Sequence, residues 1–201
     1  MRIGLVATSR SGSTYFRRYL CNTFGLYDSA SWLKKNSYKD IEETNWAHQP
    51  HILKIFPHYI PDDENIQDIL KDYKNIWLYR KDVLSQFFSH ITRLRTKINH
   101  VHSKDEIPDI PDKSLVATKE EFDRFNSKLN KFWDLFYADD ENYLVAFENF
   151  LNDPLSTLAD IQEKFDLEIN NNIKTQLTVK LNIDYEKKFI NFAEIEEWFA
   201  E

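Results

Sequence analysis

The sequence contains only three glycines in 201 residues, Gly4, Gly12 and Gly25, and all three lie within the first 25 positions. This scarcity excludes glycine-rich designs such as the GxGxxG dinucleotide loop and the propeller blade, which need repeated glycines in tight turns. Cysteine is scarcer still, because Cys21 stands alone and cannot form an internal disulfide. A single cysteine is typical of proteins in a reducing compartment, so we expect a cytoplasmic location.

Long hydrophobic runs are also missing. No stretch approaches the roughly 20 apolar residues that a transmembrane helix needs, so no membrane span is expected. The N-terminal segment MRIGLVATSRSG has too short an apolar run for a secretory signal and indicates a first strand. Hydrophobic residues make up 42% of the chain and aromatics 15%, which is enough for a folded core and excludes a disordered protein. At this length we expect residues 1–201 to form a single domain.

Acidic residues are absent from the first 25 positions, which hold the four arginines Arg2, Arg10, Arg17 and Arg18. The net charge is -7, but residues 1–100 carry 15 Lys and Arg against 10 Asp and Glu, whereas residues 101–201 carry 11 against 23. A pI near 5.4 argues against a nucleic-acid partner. A basic N-terminal half is compatible with a small polyanion, and the alternative is ordinary solvated charge on helix faces.

Short apolar runs alternate with helical patterns along the chain. Strands are predicted at residues 2–8, 51–56, 75–79 and 142–147, and helices at 14–24, 64–73, 81–95, 118–138 and 154–166, with two short helices in the last thirty residues. Residues 96–117 contain two prolines among charges and predict a long loop, of the kind that serves as a lid or substrate loop. The alternation favours an α/β fold, a three-layer domain with a central parallel sheet flanked by helices.

The segment Thr8-Ser9-Arg10-Ser11-Gly12-Ser13-Thr14, here called the Thr8–Thr14 loop, joins the first predicted strand to the first predicted helix. Such a junction presents backbone N–H groups and the positive end of a helix dipole. Gly12 allows a tight turn, and Arg10 can bind a planar oxyanion through two donors. Ser13 and Thr14 add hydroxyl groups. The loop therefore predicts a phosphate or sulfate site, with a simple helix cap as the alternative.

The loop is not a Walker A motif. That motif reads G-x-x-x-x-G-K-[ST], whereas here Gly4 and Gly12 lie eight positions apart and Ser13 stands where the lysine is required. The sequence therefore disfavours an enzyme of the ATP- or GTP-hydrolysing P-loop class.

A second candidate anion site follows the third predicted strand, where Arg80 precedes Lys81 and Asp82. Asp82 can cap the next helix, and Arg80 falls at the carboxyl edge of the sheet, where open α/β sheets bind ligands. Ser89 lies seven residues after Asp82, about two helical turns along the same face. Arg80 and Ser89 can therefore converge on a second phosphate.

These residues together resemble the sulfotransferase family. Ser9–Thr14 resembles that family's 5′-phosphosulfate loop, and Trp77–Ser89, with R-x-D-x-L-x-Q-x-x-S spacing, resembles its 3′-phosphate motif in the bacterial enzymes. His51–Lys54 is similar to the family's central strand with its lysine, and Val145–Pro154 to its late strand and following turn. The four matches occur in the family's order over about residues 3–165.

The resemblance implies a P-loop-like fold that binds 3′-phosphoadenosine-5′-phosphosulfate (PAPS) as the donor substrate. It assigns the 5′-phosphosulfate to Arg10, Ser11, Gly12, Ser13 and Thr14, the 3′-phosphate to Arg80 and Ser89, and adenine stacking to Tyr15. Phe147 falls where many members have a tyrosine near the adenine. Because a sulfonate carries less charge than a phosphoryl group, Arg10 and backbone donors can suffice, and no metal is expected.

Several residues are candidates for the catalytic base. His58 is the first choice, because an imidazole titrates near neutral pH. Asp28 follows the first helix, where the bacterial members carry an acidic base. The remaining candidates are Glu42, His48 and His51. Lys54, at a strand end, is expected to contact the transferring sulfonate or the leaving group, and its alternative role is that of a snorkelling strand lysine.

The sequence thus predicts a sulfotransferase that moves a sulfonate from PAPS to a hydroxyl of a small-molecule or carbohydrate acceptor. The alternatives are a nucleotide kinase-like phosphotransferase and a non-catalytic nucleotide-binding protein of the same fold. Neither a nucleic acid nor a membrane is expected as a partner, and the sequence does not indicate an oligomeric state. His100 and His102 have no cysteine partner nearby, so we expect them to be loop residues and not metal ligands.

Overall fold

The computed structural model describes residues 1–29, 38–60, 64–97, 109–169 and 183–200. Five strands are β1 (Arg2–Ala7), β2 (Tyr27–Asp28), β3 (His51–Ile55), β4 (Lys74–Tyr79) and β5 (Tyr143–Ala146). The α-helices are α1 (Ser13–Phe24), α2 (Ile66–Leu70), α3 (Val83–Thr96), α4 (Lys119–Tyr137), α5 (Phe147–Asn152), α6 (Pro154–Phe165), α7 (Tyr185–Lys188) and α8 (Phe192–Ala200). Short 3-10 helices cover Tyr38–Glu43 and Pro57–Tyr59.

The strands form one parallel sheet in the order β2-β3-β1-β4-β5. β1 lies at its centre, with Leu5 opposite Lys54 of β3 and Ile76 of β4. The inner strands are nearly continuous apolar runs because both of their faces are covered, as is usual in parallel sheets. All five strands point the same way, so the segments that follow β1, β3, β4 and β5 leave the sheet at one carboxyl edge.

Helices cover both faces of this sheet. On one face, α1, α5 and α6 pack against Ile3, Leu5 and Ile52 of the sheet through Phe16, Leu20, Phe150 and Ile161. On the other face, side chains of α2 and of the C-terminal part of α4 pack against the sheet, among them Ile69, Leu70 and Phe132 around Trp77 and Leu53. The expected three-layer α/β architecture with a central parallel sheet is therefore confirmed.

Gly4 lies at a close approach between β1 and its neighbours. A Cβ at this position would lie 2.7 Å from Oδ1 of Asn75 and 2.8 Å from Cδ2 of Leu70. Any side chain at this position would force the side chains of Asn75 and Leu70 to move. The glycine therefore allows the central strand to pack closely.

The described residues divide into two compact units. The first comprises the described residues of Met1–Lys81 and Asn130–Thr175, and the second those of Asp82–Leu129 and Gln176–Glu201. The second unit has its own hydrophobic cluster, in which Phe87 and Phe88 of α3 meet Phe122 of α4, Phe189 and Ile195. The prediction that residues 1–201 form a single domain stays a prediction.

The predicted elements agree closely with those observed. All four predicted strands and the predicted helices are present, although the helix expected at 64–73 spans only Ile66–Leu70. Sequence patterns missed β2 and α5, and Phe147, predicted as the end of a strand, begins α5. Of the predicted loop 96–117, residues 98–108 lie outside the described residues, and Leu115 forms a bridge to Phe189. None of the helices described here is long and apolar enough to cross a bilayer.

Candidate functional site: an anion loop at the carboxyl edge

The Thr8–Thr14 loop leaves the central strand and enters α1 through a sharp turn. Arg10 and Gly12 both have left-handed backbone conformations, with φ of 65° and 82°. The hydroxyl of Ser11, a fully buried residue, donates to the carbonyl oxygen of Thr8 at 2.8 Å, and the Ser11 N–H reaches the same oxygen at 3.4 Å. Left-handed residues in such a turn aim successive backbone N–H groups into one concavity, which suits an anion.

The amino end of α1 faces this turn. The first intrahelical bond in this turn runs from the Phe16 N–H to the Gly12 carbonyl oxygen at 3.1 Å, so the N–H groups of the preceding residues do not take part in the helical ladder. Within the described residues, no side chain caps this end of α1. Together with the helix dipole, these N–H groups favour a negatively charged ligand.

Gly12 is held against Phe147, the first residue of α5. A Cβ built on Gly12 would lie 2.3 Å from Cζ of the Phe147 ring. The ring of Tyr15 meets Phe147 edge-on, with centroids 6.3 Å apart, and also meets Phe150 at 5.8 Å. Phe147 and Tyr15, the two residues that the resemblance places near an adenine, therefore lie beside the loop and against each other.

Lys54 approaches the loop from the neighbouring strand β3. Its Nζ donates to Oγ1 of Thr14 at 3.4 Å and lies 4.9 Å from the centroid of the Phe56 ring. The residue is only 5% exposed, so a positive charge is buried beside the first turn of α1. The contact that the sequence predicts between Lys54 and a transferring group stays a prediction.

Arg80 directly follows β4 at the same edge. Its Nε lies 3.6 Å from Oε1 of Glu148 on α5, while Oε2 of Glu148 accepts the Lys81 N–H at 2.9 Å. The Lys81 ammonium in turn donates to Oδ1 of Asn149 at 2.7 Å. Arg80 and Lys81, the two cationic residues after β4, therefore both contact the first turn of α5, and the Arg80 side chain stays partly exposed.

Ser89, the expected partner of Arg80, belongs to the second unit. It lies on α3, whose N-terminus is capped as expected by Oδ1 of Asp82 accepting the Ser85 N–H at 2.8 Å. The assignment of Ser89 to a phosphate stays a prediction.

Asp28, a candidate base, lies on the edge strand β2. Its Oδ2 is 3.1 Å from Nη2 of Arg17 on α1. The Arg17 side chain is 5% exposed and the Asp28 side chain 34%, so the pair has one buried and one accessible end. Asp28 lies opposite Ile52, two residues before Lys54 on the same face of β3. Asp28 and Lys54 therefore both project to the α1 side of the sheet.

His58, the other leading candidate, lies on the 3-10 helix after β3. Its ring is half-buried and packs against Tyr59, with centroids 4.4 Å apart, and against Phe56 at 5.6 Å. His51 lies at the opposite end of β3, where Nδ1 contacts the Gln49 carbonyl oxygen and Nε2 the Tyr73 hydroxyl. Glu42 pairs with Arg2 near the same end, and His48 is exposed. Of the candidates, His58 follows the carboxyl end of β3, at the edge that carries the loop, whereas Asp28 lies level with Ile52 near the amino end of that strand.

In the part of the chain that the structure describes, no group of three or more His, Cys, Asp or Glu side chains is arranged to hold a metal ion. His100 and His102 lie outside the described residues. Burial raises the pKa of the Cys21 thiol to about 12, so this cysteine is a neutral core side chain.

Solved structures match this arrangement over almost the whole chain. The sulfotransferase domain of the Synechococcus PCC 7002 olefin synthase aligns with 100% of this chain and 95% of its own, at TM-score 0.53 and 17% identity. A sulfotransferase of Mycobacterium tuberculosis aligns with 99% of this chain and 76% of its own, at TM-score 0.59 and 12% identity. The chain has the sulfotransferase fold.

A mouse sulfotransferase, solved in complex with PAP, matches the same fold at TM-score 0.53 and 13% identity, over 98% of this chain and 63% of its own. No protein-family model matches the sequence, and no curated protein matches it. The sulfotransferase fold that the motifs predicted is therefore confirmed by structure, at identities too low for sequence comparison to find.

Two contacts of the candidate site residues could not be found from the sequence. Arg17 was noticed only as part of an acid-free stretch, because its partner Asp28 is contributed by a two-residue strand that no pattern predicts. Glu148 was part of a matched motif, but its bonds to Arg80 and the Lys81 N–H depend on how β4 and β5 lie side by side.

Proposed function

We propose that this protein is a sulfotransferase that transfers a sulfonate from PAPS to a hydroxyl of a small-molecule or carbohydrate acceptor. One observation carries the proposal: within the sulfotransferase fold, the left-handed turn at Arg10 and Gly12 meets the amino end of α1 and the buried Lys54 ammonium. Backbone N–H groups, a helix dipole and a cation thus converge at the carboxyl end of the central strand. That combination favours a phosphosulfate over a neutral ligand.

The donor fits the residues around this turn. We assign its 5′-phosphosulfate to Arg10 and to the backbone of Ser11, Gly12, Ser13 and Thr14, since the Ser11 hydroxyl itself is occupied by Thr8. Arg80 would bind the 3′-phosphate, and Tyr15 would contact the adenine. The PAP complex of the mouse protein supports a nucleotide of this kind at this fold.

In the proposed reaction the acceptor oxygen attacks sulfur in line. A new S–O bond forms as the bond from sulfur to the 5′-phosphate oxygen breaks, and 3′-phosphoadenosine-5′-phosphate (PAP) leaves. Sulfuryl transfer, like phosphoryl transfer, passes through a loose transition state, so positioning and electrostatic stabilisation supply most of the catalysis. Arg10, the loop N–H groups and Lys54 would stabilise the charge that develops on the leaving phosphate oxygen.

The acceptor proton needs a base within hydrogen-bond reach. We propose Asp28, because it is an accessible carboxylate with a fixed partner and lies on the same face of the sheet as Lys54. His58 is the alternative base, on the turn after β3.

Residues 96–117 stay our proposed substrate loop. The single cysteine, Cys21, is buried and unpaired with another cysteine, which fits the proposed cytoplasmic location.

Calorimetry with PAP tests the donor site. We expect binding by the native protein, and at least tenfold weaker binding by Arg10→Ala and by Arg80→Ala, because each removes a charge-assisted contact to a phosphate group. Arg18→Ala, on the next turn of α1 and outside the loop, is the matched control and should bind normally. No binding of PAP, or equal affinity in all four proteins, would sink the donor assignment. Binding of Mg-ATP in preference to PAP would favour a phosphotransferase.

Turnover is tested with 35S-labelled PAPS and a panel of phenols, alcohols and sugars. Labelled product with any hydroxyl acceptor would support the transfer reaction. A protein that binds PAP tightly but turns over PAPS with no acceptor, water included, would be a non-catalytic nucleotide-binding protein.

A further inference from the structure

The carboxyl ends of β1, β4 and β5 lie side by side in the sheet, with β4 in the middle. Tyr79, the last residue of β4, pairs with Ala146, the last residue of β5. Arg80 therefore leaves the sheet between two segments, the Thr8–Thr14 loop after β1 and the helix α5 after β5. The residue that we assign to the 3′-phosphate thus begins beside the loop that we assign to the 5′-phosphosulfate.

The first turn of α5, residues Phe147–Asn149, is here called the α5 turn. Its first residue contacts the loop: the Phe147 ring lies 2.3 Å from the position of a Cβ on Gly12, and it meets the Tyr15 ring edge-on. β5 and β1 are not neighbours in the sheet, since β4 lies between them. The α5 turn therefore reaches past the end of β4 to contact the loop.

The next two residues of the α5 turn contact the chain that follows β4. Oε2 of Glu148 accepts the backbone N–H of Lys81 at 2.9 Å, and Oε1 lies 3.6 Å from Nε of Arg80. Oδ1 of Asn149 accepts a hydrogen bond from the Lys81 ammonium at 2.7 Å. Because a bond to the backbone fixes the path of the chain, Glu148 sets where the Arg80 side chain begins.

Arg80 keeps donors for a ligand in this arrangement. Its ion-pair contact with Glu148 runs through Nε, so its two terminal nitrogens are not used in that contact. Two parallel N–H groups on a planar guanidinium match a phosphate group, provided that the guanidinium points in the right direction. The contacts of Glu148 and Asn149 hold the chain from which the guanidinium projects.

We propose that the α5 turn determines the specificity of the donor site. It fixes Arg80 relative to the Thr8–Thr14 loop, so that the protein selects a nucleotide with 5′ and 3′ phosphates over its 2′,5′ isomer. The inference rests on the proposed function and adds to it the residues that set donor selectivity. Glu148 and Asn149 are positioning residues, because they act through Arg80.

The two isomers separate positioning from charge. They carry the same charge and differ only in where the second phosphate lies, so electrostatic attraction alone does not discriminate between them. Donors held in a fixed position do discriminate, since a displaced phosphate leaves them unpaired. The ratio of the dissociation constants of adenosine 2′,5′-bisphosphate and PAP, here called the selectivity ratio, therefore measures how well Arg80 is positioned.

Calorimetry with PAP, adenosine 2′,5′-bisphosphate and AMP tests the proposal. AMP lacks the second phosphate and reports on the loop alone. Glu148→Gln and Glu148→Leu both remove the carboxylate charge, but only glutamine keeps an oxygen that accepts the Lys81 N–H. Asn149→Ala removes the acceptor of the Lys81 ammonium, and Asn152→Ala, an exposed asparagine at the end of the same helix, is the matched control.

We expect the native protein to have a selectivity ratio of at least about ten, the discrimination that one charge-assisted contact provides. Glu148→Gln should keep this ratio within about twofold while it tightens the binding of both bisphosphates. Glu148→Leu and Asn149→Ala should lower the ratio about threefold to tenfold, the range of one hydrogen bond. AMP affinity should stay within about twofold of native in every variant, and Asn152→Ala should match the native protein throughout.

A double-mutant cycle with Arg80→Ala shows whether the α5 turn acts through the arginine. Arg80→Ala alone should reduce the selectivity ratio to about one, because the positioned donors are gone. Glu148→Leu/Arg80→Ala should then have the same ratio within about twofold. Thermal unfolding midpoints are measured on every protein, and if Glu148→Leu fails to fold, the exposed Asn149 gives the same cycle through Asn149→Ala/Arg80→Ala.

Three results would overturn the proposal. They are equal affinity of the native protein for the two bisphosphates, a native selectivity ratio in both Glu148→Leu and Asn149→Ala, or a loss of AMP binding in these variants as large as the loss of PAP binding. Failure of the proposed function has a different signature, because the native protein then binds none of the three nucleotides, or binds PAP selectively without turning over PAPS. Selective binding without turnover contradicts the transfer reaction and supports the role of the α5 turn.

Discussion

Gly12 and Phe147 are in direct contact, the ring of Phe147 lying where any side chain at position 12 would have to be. The ideal Cβ of Gly12 is 2.3 Å from Cζ of the ring and 2.4 Å from Cε2. The glycine also has φ of 82°, which residues with a side chain rarely adopt. Two independent requirements, backbone conformation and the space taken by α5, therefore fix this position as glycine.

Gly12→Ala is expected to lower the free energy of unfolding by about 1–3 kcal/mol from backbone strain alone, with the clash against Phe147 adding to it. PAP affinity should fall as well, because the loop N–H groups are displaced. Denaturant unfolding and calorimetry measure the two effects. Gly25→Ala is the control for strain, since Gly25 has a similar φ of 64° at the other end of α1.

The clash itself is tested by pairing Gly12→Ala with Phe147→Leu. The smaller side chain should recover part of the lost stability in the double variant, while the strain of the backbone stays. Strictly additive losses would contradict the contact between the two residues.

Glu148→Gln is expected to tighten PAP binding about threefold to tenfold, since it removes a negative charge 3.6 Å from the Arg80 guanidinium that we assign to the 3′-phosphate. The amide oxygen of glutamine can still accept the Lys81 N–H, so the turn after β4 should keep its shape. Calorimetry at low and high salt measures the change. Weaker binding in this variant would mean instead that Glu148 orients Arg80 for the phosphate.

Lys54→Met removes the ammonium beside Thr14 but keeps the apolar stem of a side chain that is 5% exposed. Loss of a charge-assisted contact to the donor should weaken PAP binding about tenfold and lower PAPS turnover at least as much. Lys71→Met, an exposed residue at the end of α2, is the matched control. Native affinity and turnover in Lys54→Met would leave this lysine a purely structural strand residue.

Acid should destabilise the protein through His51. The residue is fully buried, and burial lowers the pKa of its imidazole. Burial also raises the pKa of Tyr73 to about 12, so the Tyr73 hydroxyl stays protonated and donates to Nε2, while Nδ1–H donates to the Gln49 carbonyl oxygen. The folded state therefore needs the neutral ring. The contribution of the neutral His51 ring to the free energy of unfolding is fully present above the unfolded-state pKa of about 6.5. It is lost as the pH falls below that value, by up to about 1.4 kcal/mol per pH unit.

Urea unfolding between pH 5 and pH 7.5 measures this dependence. His51→Gln should be less stable at pH 7.5 but should lose less stability on acidification than the native protein. His48→Gln, an exposed neighbour, should follow the native curve. The same acid dependence in His51→Gln would assign the effect to another group.

Much of the sheet was predictable from the sequence, because its inner strands are buried on both faces and appear as short apolar runs that no helix pattern imitates. The turn between β1 and α1 was predictable too, since Arg10, Gly12, Ser13 and Thr14 lie within one short stretch of chain whose shape depends on local backbone geometry. β2 was not, because two residues, Tyr27 and Asp28, form it only by pairing with β3. Its short length leaves no periodicity to detect.

By itself, then, the sequence determined the alternation of strands and helices, the turn between β1 and α1, and the resemblance that predicted the sulfotransferase fold. These depend on neighbours in the chain. The tertiary structure alone decided which distant residues contact one another, because contacts such as Arg17 with Asp28 or Gly12 with Phe147 arise from strand order and helix packing. It also showed that two of the three glycines lie in crowded positions, since the side chains of Asn75 and Leu70 occupy the space for a Cβ at Gly4 and the Phe147 ring occupies it at Gly12.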